Sequence, residues 1–153
     1  MGSRINFQQV NDIRDPRSVL TNAAIAFKGA GGKFVSGVGN SLVLAVAAST
    51  ALLGWAEVAE FTTATTDVIT VNMAKDAVYE MPIDTAVTEA ALQALIGKTC
   101  DIIVTSGIQY ADHNASAVDI LQIVGYGYYG PNLGEQTLFV RLYQPNVTVS
   151  GVA

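Results

Sequence analysis

The stretch that decides the fold is 97–143, GKTCDIIVTSGIQYADHNASAVDILQIVGYGYYGPNLGEQTLFVRLY. It reads as three strands joined by polar or glycine-rich turns. In 100–105, Cys100, Ile102 and Val104 point one way, and Asp101 and Thr105 the other. In 137–143, Leu138, Val140 and Leu142 share a face, and Thr137 and Arg141 share its opposite. A period of two marks half-buried antiparallel strands. Between them 118–124 is apolar on both faces, which predicts a strand covered on two sides.

Working outward, the pattern continues on the N-terminal side. Strands are expected at 33–38, 42–48, 52–60, 68–73 and 77–81, with a turn at 39–41 and a Thr-rich turn at 62–67. Pro82 should end the 77–81 strand, because proline has no N–H to give a ladder. One helix is expected, at 85–96. Thr85 is its cap, Glu89 lies near the positive end, Leu92, Leu95 and Ile96 form one face, and Gly97-Lys98 closes it. The fold class is therefore all-β, a mainly antiparallel barrel or sandwich-like module with one short helix and an extended N-terminal arm.

The arm occupies 1–17, where Ile5, Phe7, Val10 and Ile13 are spaced two to three apart, as in an extended segment lying along a surface. Seventeen extended residues span roughly 55 Å, more than the radius of a domain this size. The 18–28 segment fits either a strand or a helix capped by Ser18, and the extended reading is preferred. Gly29-Ala30-Gly31-Gly32 then forms a joint. The organisation expected is an arm and joint at 1–32 and a β module at 33–153. The arm is expected to order only against a partner.

Composition constrains the surroundings of this module. The chain has 153 residues, half of them apolar and only 14% charged, which is little for the exterior of a small monomer. A partner covering part of the surface is the preferred explanation. The net charge of −5 is unevenly spread. Residues 1–33 carry five basic and two acidic side chains, net +3; the rest carry three basic and eleven acidic, net −8. A basic leader on an acidic body can latch an acidic neighbour, including a second copy. Five dispersed cations interleaved with carboxylates do not predict nucleic-acid binding.

The apolar run 41–56, SLVLAVAASTALLGWA, is too short to cross a bilayer and is interrupted by Ser49, Thr50 and Gly54. Two buried strands meeting at 48–50 account for it, and no membrane partner is expected. The N-terminus has no apolar core of a signal peptide. Without one, the acceptor-like Asn114-Ala115-Ser116 and Asn146-Val147-Thr148 carry no weight.

The motifs that could carry chemistry do not mature into sites. Gly125-Tyr126-Gly127-Tyr128-Tyr129-Gly130 matches G-x-G-x-x-G, but Pro131 and Gly134 follow it where a dinucleotide site needs a helix. Gly29–Lys33 lacks the first glycine and the Ser or Thr of a phosphate loop. Cys100 alternates with Ile102 and Val104 as a small buried hydrophobe. His113 is the single histidine, read as a loop residue among turn formers, and one His with one Cys cannot hold zinc. No G-x-S-x-G occurs. Asp76 and Glu80 straddle a strand without a sign of a polar cleft. No catalytic residue, metal or cofactor is expected. Tyr126, Tyr128 and Tyr129, set between glycines, form a rigid amphipathic surface suited to an interface or to packing over a hairpin end.

Residues 51–58 (ALLGWAEV), 76–82 (DAVYEMP), 97–102 (GKTCDI) and the final strand through Val140, Arg141 and Leu142 resemble small capsid-associated proteins of tailed bacteriophages, the decoration or cement proteins. The resemblance spans roughly 33–143 and lies in overall texture. It implies a non-enzymatic β module on the outer surface of the virion, bound to the major capsid protein between neighbouring subunits and often trimeric. It transfers no site residues. From the residues themselves, the partner-binding candidates are Ile5, Phe7, Ile13, Arg14 and Arg17 of the arm, with Tyr126, Tyr128 and Tyr129. Another phage component (tail, head-completion or fibre protein) fits a small β module equally. An enzyme or small-ligand binder is the more distant alternative.

Overall fold

The computed structural model describes residues 8–21, 26–27, 32–38, 41–46, 52, 54–57, 61–62, 67–114 and 120–143. The order is β1 (Gln8–Gln9), β2 (Pro16–Leu20), β3 (Ala26–Phe27), β4 (Lys33–Val38), β5 (Ser41–Leu44), β6 (Gly54–Ala56), β7 (Phe61–Thr62), β8 (Val68–Asn72), β9 (Tyr79–Pro82), α1 (Glu89–Gln93), β10 (Thr99–Thr105), β11 (Ile108–Asp112), β12 (Leu121–Tyr128) and β13 (Gln136–Leu142). The protein is all-β with one short helix.

Two antiparallel sheets carry the fold, ordered β1-β9-β13-β12-β10-β11 and β2-β8-β6-β4-β5, and β3 pairs with β7 apart from them. Each large sheet curls. In the first, Ile83, which follows β9, forms a parallel bridge to Ala111 of β11, and Asp84 N–H donates to the Ala111 carbonyl. In the second, Leu42 N–H donates to the Thr21 carbonyl, bringing β5 back to the end of β2. Curling hides the edges that would otherwise template further pairing.

The main core lies between the sheets. Phe34, Leu52 and Trp55 of the second sheet's side meet Tyr79, Met81, Ile123, Leu138 and Val140 of the first. Tyr79 stands edge-on to Phe34 with ring centroids 5.2 Å apart, and its ring lies 4.9 Å from that of Trp55. A smaller cluster of Val35, Leu42, Ala56, Ile69 and Val71 fills the curl of the second sheet. The apolar run at 41–56 is thus divided between two cores, and no helix among the described residues is long and apolar enough to cross a membrane. Its expected junction at 48–50 lies outside the described residues, as do residues 39–40 and 63–66 of the expected turns.

Several local expectations are corrected. The decisive stretch holds four strands, since β11 was not anticipated. Its inward residues include the polar Gln109, while apolar Ile108 faces out, so the usual alternation is inverted. The turn before it, Ser106-Gly107, has positive φ at both residues (53° and 81°), which suits the twist of a two-residue hairpin. β12 is covered on one face only. A bulge between Ile123 and Gly125 turns Val124 out to solvent. Pro82 ends β9 as expected, though as its last residue, and the strand begins at Tyr79 and not at 77.

The helix is shorter than expected. Its cap is Thr88, whose Oγ1 accepts from Ala91 N–H at 3.2 Å, whereas Thr85 Oγ1 donates to the Asp84 carboxylate. The cause is Gln136. Its amide accepts from Val87 N–H at 2.9 Å and donates to the Val87 carbonyl at 2.8 Å, holding that residue as a sheet neighbour would. Leu92 is buried and Leu95 half-buried, but Ile96 is exposed. Gly97, with φ of 89°, turns the chain where expected, and its N–H donates to the Ile123 carbonyl.

The arm is extended, but 8–21 lies on the chain's own sheets and needs no foreign partner to be ordered. β1 pairs with β9, and β2 with β8 over its whole length. Asn72 secures the crossing between them. Its Oδ1 accepts from Asp15 N–H (2.8 Å) and Ala74 N–H (3.1 Å), and its Nδ2 donates to Gln9 Oε1 (3.0 Å) and the Ile13 carbonyl (3.2 Å). Asn11 adds a bond from Val78 N–H and one to the Asp76 carbonyl. Of the expected joint, Gly32 is described. A Cβ there would fall 2.2 Å from the Trp55 ring, so this glycine serves close packing.

Candidate functional site

The outer face of the first sheet is the side opposite Tyr79, Met81, Leu138 and Val140. Register places Gln8, Glu80, Phe139 and Gly125 in one row across it, and Pro82, Thr137 and Gly127 in the next. The two glycines leave floor space. A Cβ on Gly125 would meet Phe139 at 3.1 Å, and one on Gly127 would meet Thr137 Oγ1 at 2.4 Å and the Tyr129 ring at 2.9 Å. Phe139 and Tyr129 therefore rest their rings over glycine backbone.

Glu80 lies between them, 7% exposed. Its Oε2 accepts from Tyr129 Oη at 2.7 Å and from Thr137 Oγ1 at 2.8 Å. Oε1 accepts no hydrogen bond among the described residues. No cation pairs with Glu80 among the described residues. Burying a carboxylate is costly unless its oxygens are hydrogen-bonded, and the two hydroxyls supply donors. The bond to Glu80 raises the Tyr129 pKa above the usual phenol value, with desolvation and the carboxylate charge adding to it.

The sequence showed no sign of a polar cleft at Glu80, and the structure gives its carboxylate two hydroxyl partners. Its sequence signal was the alternation of Tyr79, Glu80 and Met81, which sends the carboxylate to the face away from the core. Nothing local could reveal Tyr129 and Thr137, each about fifty residues or more away along the chain.

The tyrosine cluster is divided. Tyr126 shares the inner side with Leu138, packs partly against the core, and donates to Glu89 Oε2 at 3.2 Å. Tyr128 is exposed, Tyr129 is 54% exposed, and Leu133 at the hairpin end is 61% exposed. The end is held firmly. Tyr129 N–H donates to the Glu135 carbonyl (2.7 Å), Glu135 N–H to the Asn132 carbonyl (3.1 Å), and Asn132 N–H to Glu135 Oε2 (3.0 Å). The G-x-G-x-x-G segment belongs to β12 and this turn, and no helix follows it.

Of the arm candidates, Ile5 and Phe7 lie outside the described residues. Ile13 is 44% exposed, Arg14 is exposed, and Arg17 forms a double hydrogen bond with Asp15 (3.1 and 3.3 Å). Arg14, Pro16, Trp55, Glu57, Thr70 and Asn72 line a cleft of about 250 Å³ beside the second sheet. Arg14 and the tyrosine hairpin are not brought together. β9 separates them: Arg14 acts on Tyr79 from one side, its charge opposing the rise that burial imposes on that phenol, while Tyr129 bonds Glu80 on the other.

His113 is not the plain loop residue expected. Its side chain is only 6% exposed, and Nδ1 lies 3.1 Å from Asp84 Oδ1. Asp84 also accepts from Thr85, so the threonine hydroxyl points at the carboxylate and away from the imidazole. The pair ties the end of β11 to the chain following β9. Cys100 is fully buried, and no group of three His, Cys, Asp or Glu suited to a metal occurs among the described residues. No protein-family model, curated protein or solved structure matches this chain.

Proposed function

We propose that this protein is a non-enzymatic structural component of a virion, a homo-oligomer on the outer capsid surface that stabilises the head by bridging neighbouring capsid subunits. The observation that carries the reading is the hairpin end at 128–135, which presents Tyr128, Tyr129 and Leu133 to solvent on a backbone fixed by its own hydrogen bonds. Rigid exposed aromatics lose little freedom on association, so their burial converts efficiently into binding. The likeness to decoration proteins supplies the virion setting, and repetition over a capsid lattice lets each contact be modest. Ile13, exposed on the N-terminal segment, offers a second contact.

The test is binding to purified phage heads lacking the protein, followed by image reconstruction. Density in hundreds of copies at subunit junctions is expected. A ring of few copies would assign the protein to a tail or head-completion role instead. Tyr129→Ala with Leu133→Ala should lower occupancy strongly, and unchanged occupancy would remove the hairpin from the contact.

A further inference from the structure

We propose that the Glu80 cleft on one copy of the chain receives the Arg14 guanidinium of a second copy, in a head-to-tail contact. The inference rests on the homo-oligomeric reading above and names the residues of its contact. Glu80 is more than nine-tenths buried, its Oε1 has no donor, and no cation among the described residues neutralises it. Phe139, its cross-strand neighbour, and the Tyr129 ring flank it, so an incoming guanidinium meets a carboxylate between two aromatic side chains. Such a setting suits arginine in particular, which is weakly hydrated and stacks on rings.

The complementary group is on the same molecule but cannot reach the cleft. Arg14 has no hydrogen bond or ion pair among the described residues, and although Glu57 lines the same hollow, the two form no ion pair. Arg14 shares a hollow with Trp55, whose ring packs on Tyr79, and Tyr79 and Glu80 leave β9 on opposite faces. The two patches differ, so the contact is heterologous; it closes into a ring when the rotation between copies is cyclic, three copies included. The net +3 of residues 1–33 against −8 for the remainder acts in the same sense.

The experiment is sedimentation of the full chain without phage heads, at low and high salt, for wild type, Glu80→Gln and Arg14→Gln. Glu80→Gln keeps an acceptor for Tyr129 and Thr137, and circular dichroism verifies its fold; Arg14 is exposed, so its variant tests the contact independently. Wild type should self-associate, more weakly in high salt, and each variant should weaken association by about tenfold or more. Mixing the two variants should restore one contact, giving a one-to-one heterodimer that neither forms alone. A monomeric wild type, variants that associate like wild type, or a mixture that stays monomeric would each overturn the proposal. None of these outcomes touches capsid binding, which the occupancy measurement tests separately.

Discussion

Two buried amides do much of the joining in this molecule. Asn72 uses all four of its hydrogen-bonding positions on the N-terminal segment and its own turn. Gln109, 2% exposed, accepts from Phe34 N–H at 2.9 Å and donates to the carbonyls of Phe34 (2.9 Å) and Ala45 (2.8 Å), so β11 of one sheet is stitched to β4 of the other. Removing either amide strands buried main-chain groups, at a cost of about 1–3 kcal/mol for each one left unsatisfied. Asn72→Ala and Gln109→Ala should therefore each destabilise by roughly 2–4 kcal/mol in urea unfolding. Asn72→Ala should also speed hydrogen exchange at Val10 and Asp15 specifically. At Gly127, a methyl group would collide with Thr137 Oγ1 and the Tyr129 ring. Gly127→Ala should cost about 1–3 kcal/mol by forcing that ring off Glu80, seen as a lower melting temperature. Tyr79, raised chiefly by burial, and Tyr129, raised chiefly by its bond to Glu80, both hold their protons more tightly folded than unfolded. Their contribution is complete below the ordinary phenol pKa of about 10 and is lost as pH climbs above it. Alkaline titration at 295 nm should show phenolate appearing later in folded wild type than in urea, and the Tyr129→Phe variant should lose part of that delay.

At the scale of elements, the cap offers a direct comparison. Thr88→Ala removes the acceptor for Ala91 N–H and should cost about 1 kcal/mol, while Thr85→Ala, whose hydroxyl only reaches the exposed edge of Asp84, should cost less. Sequence favoured Thr85 because the helical pattern extends that far back. The side chain that halts it, Gln136, comes from a strand almost fifty residues later. Legibility follows the same division throughout. β8, β10 and β13 could be read within two residues because each alternates by itself. β11 could not, since its inward Gln109 is apolar in neither character nor pattern, though the Ser106-Gly107 turn was a local sign of a hairpin. The candidate site shows it most plainly. Its tyrosines stood out as glycine-flanked aromatics, while Glu80, which organises them, looked like an ordinary solvent-facing strand carboxylate.

For the whole molecule, the N-terminal segment is where sequence and structure part. Its spacing indicated an extended conformation, and its charge suggested attachment elsewhere, yet 8–20 contributes an edge strand to each large sheet. Deleting 1–17 therefore bares the edge of β9 at Tyr79 and Glu80 and the end of β8 at Val71 and Asn72. The truncated chain should melt at lower temperature and aggregate more readily, and a deletion that matched full-length stability would contradict the pairing observed here.

That pairing also imposes an order of events during synthesis. Gln9 lies opposite Tyr79, and Asn72 reaches back over fifty-seven residues to Asp15. Strands β1 and β2, made before β8 and β9, are thus among the last to find their place. Until β8 and β9 emerge, β1 and β2 have no strand beside them, and contacts so distant in sequence form slowly. A nascent chain stalled before residue 72 should leave residues 8–20 open to protease, and one stalled well beyond residue 143, with β13 clear of the tunnel, should protect them.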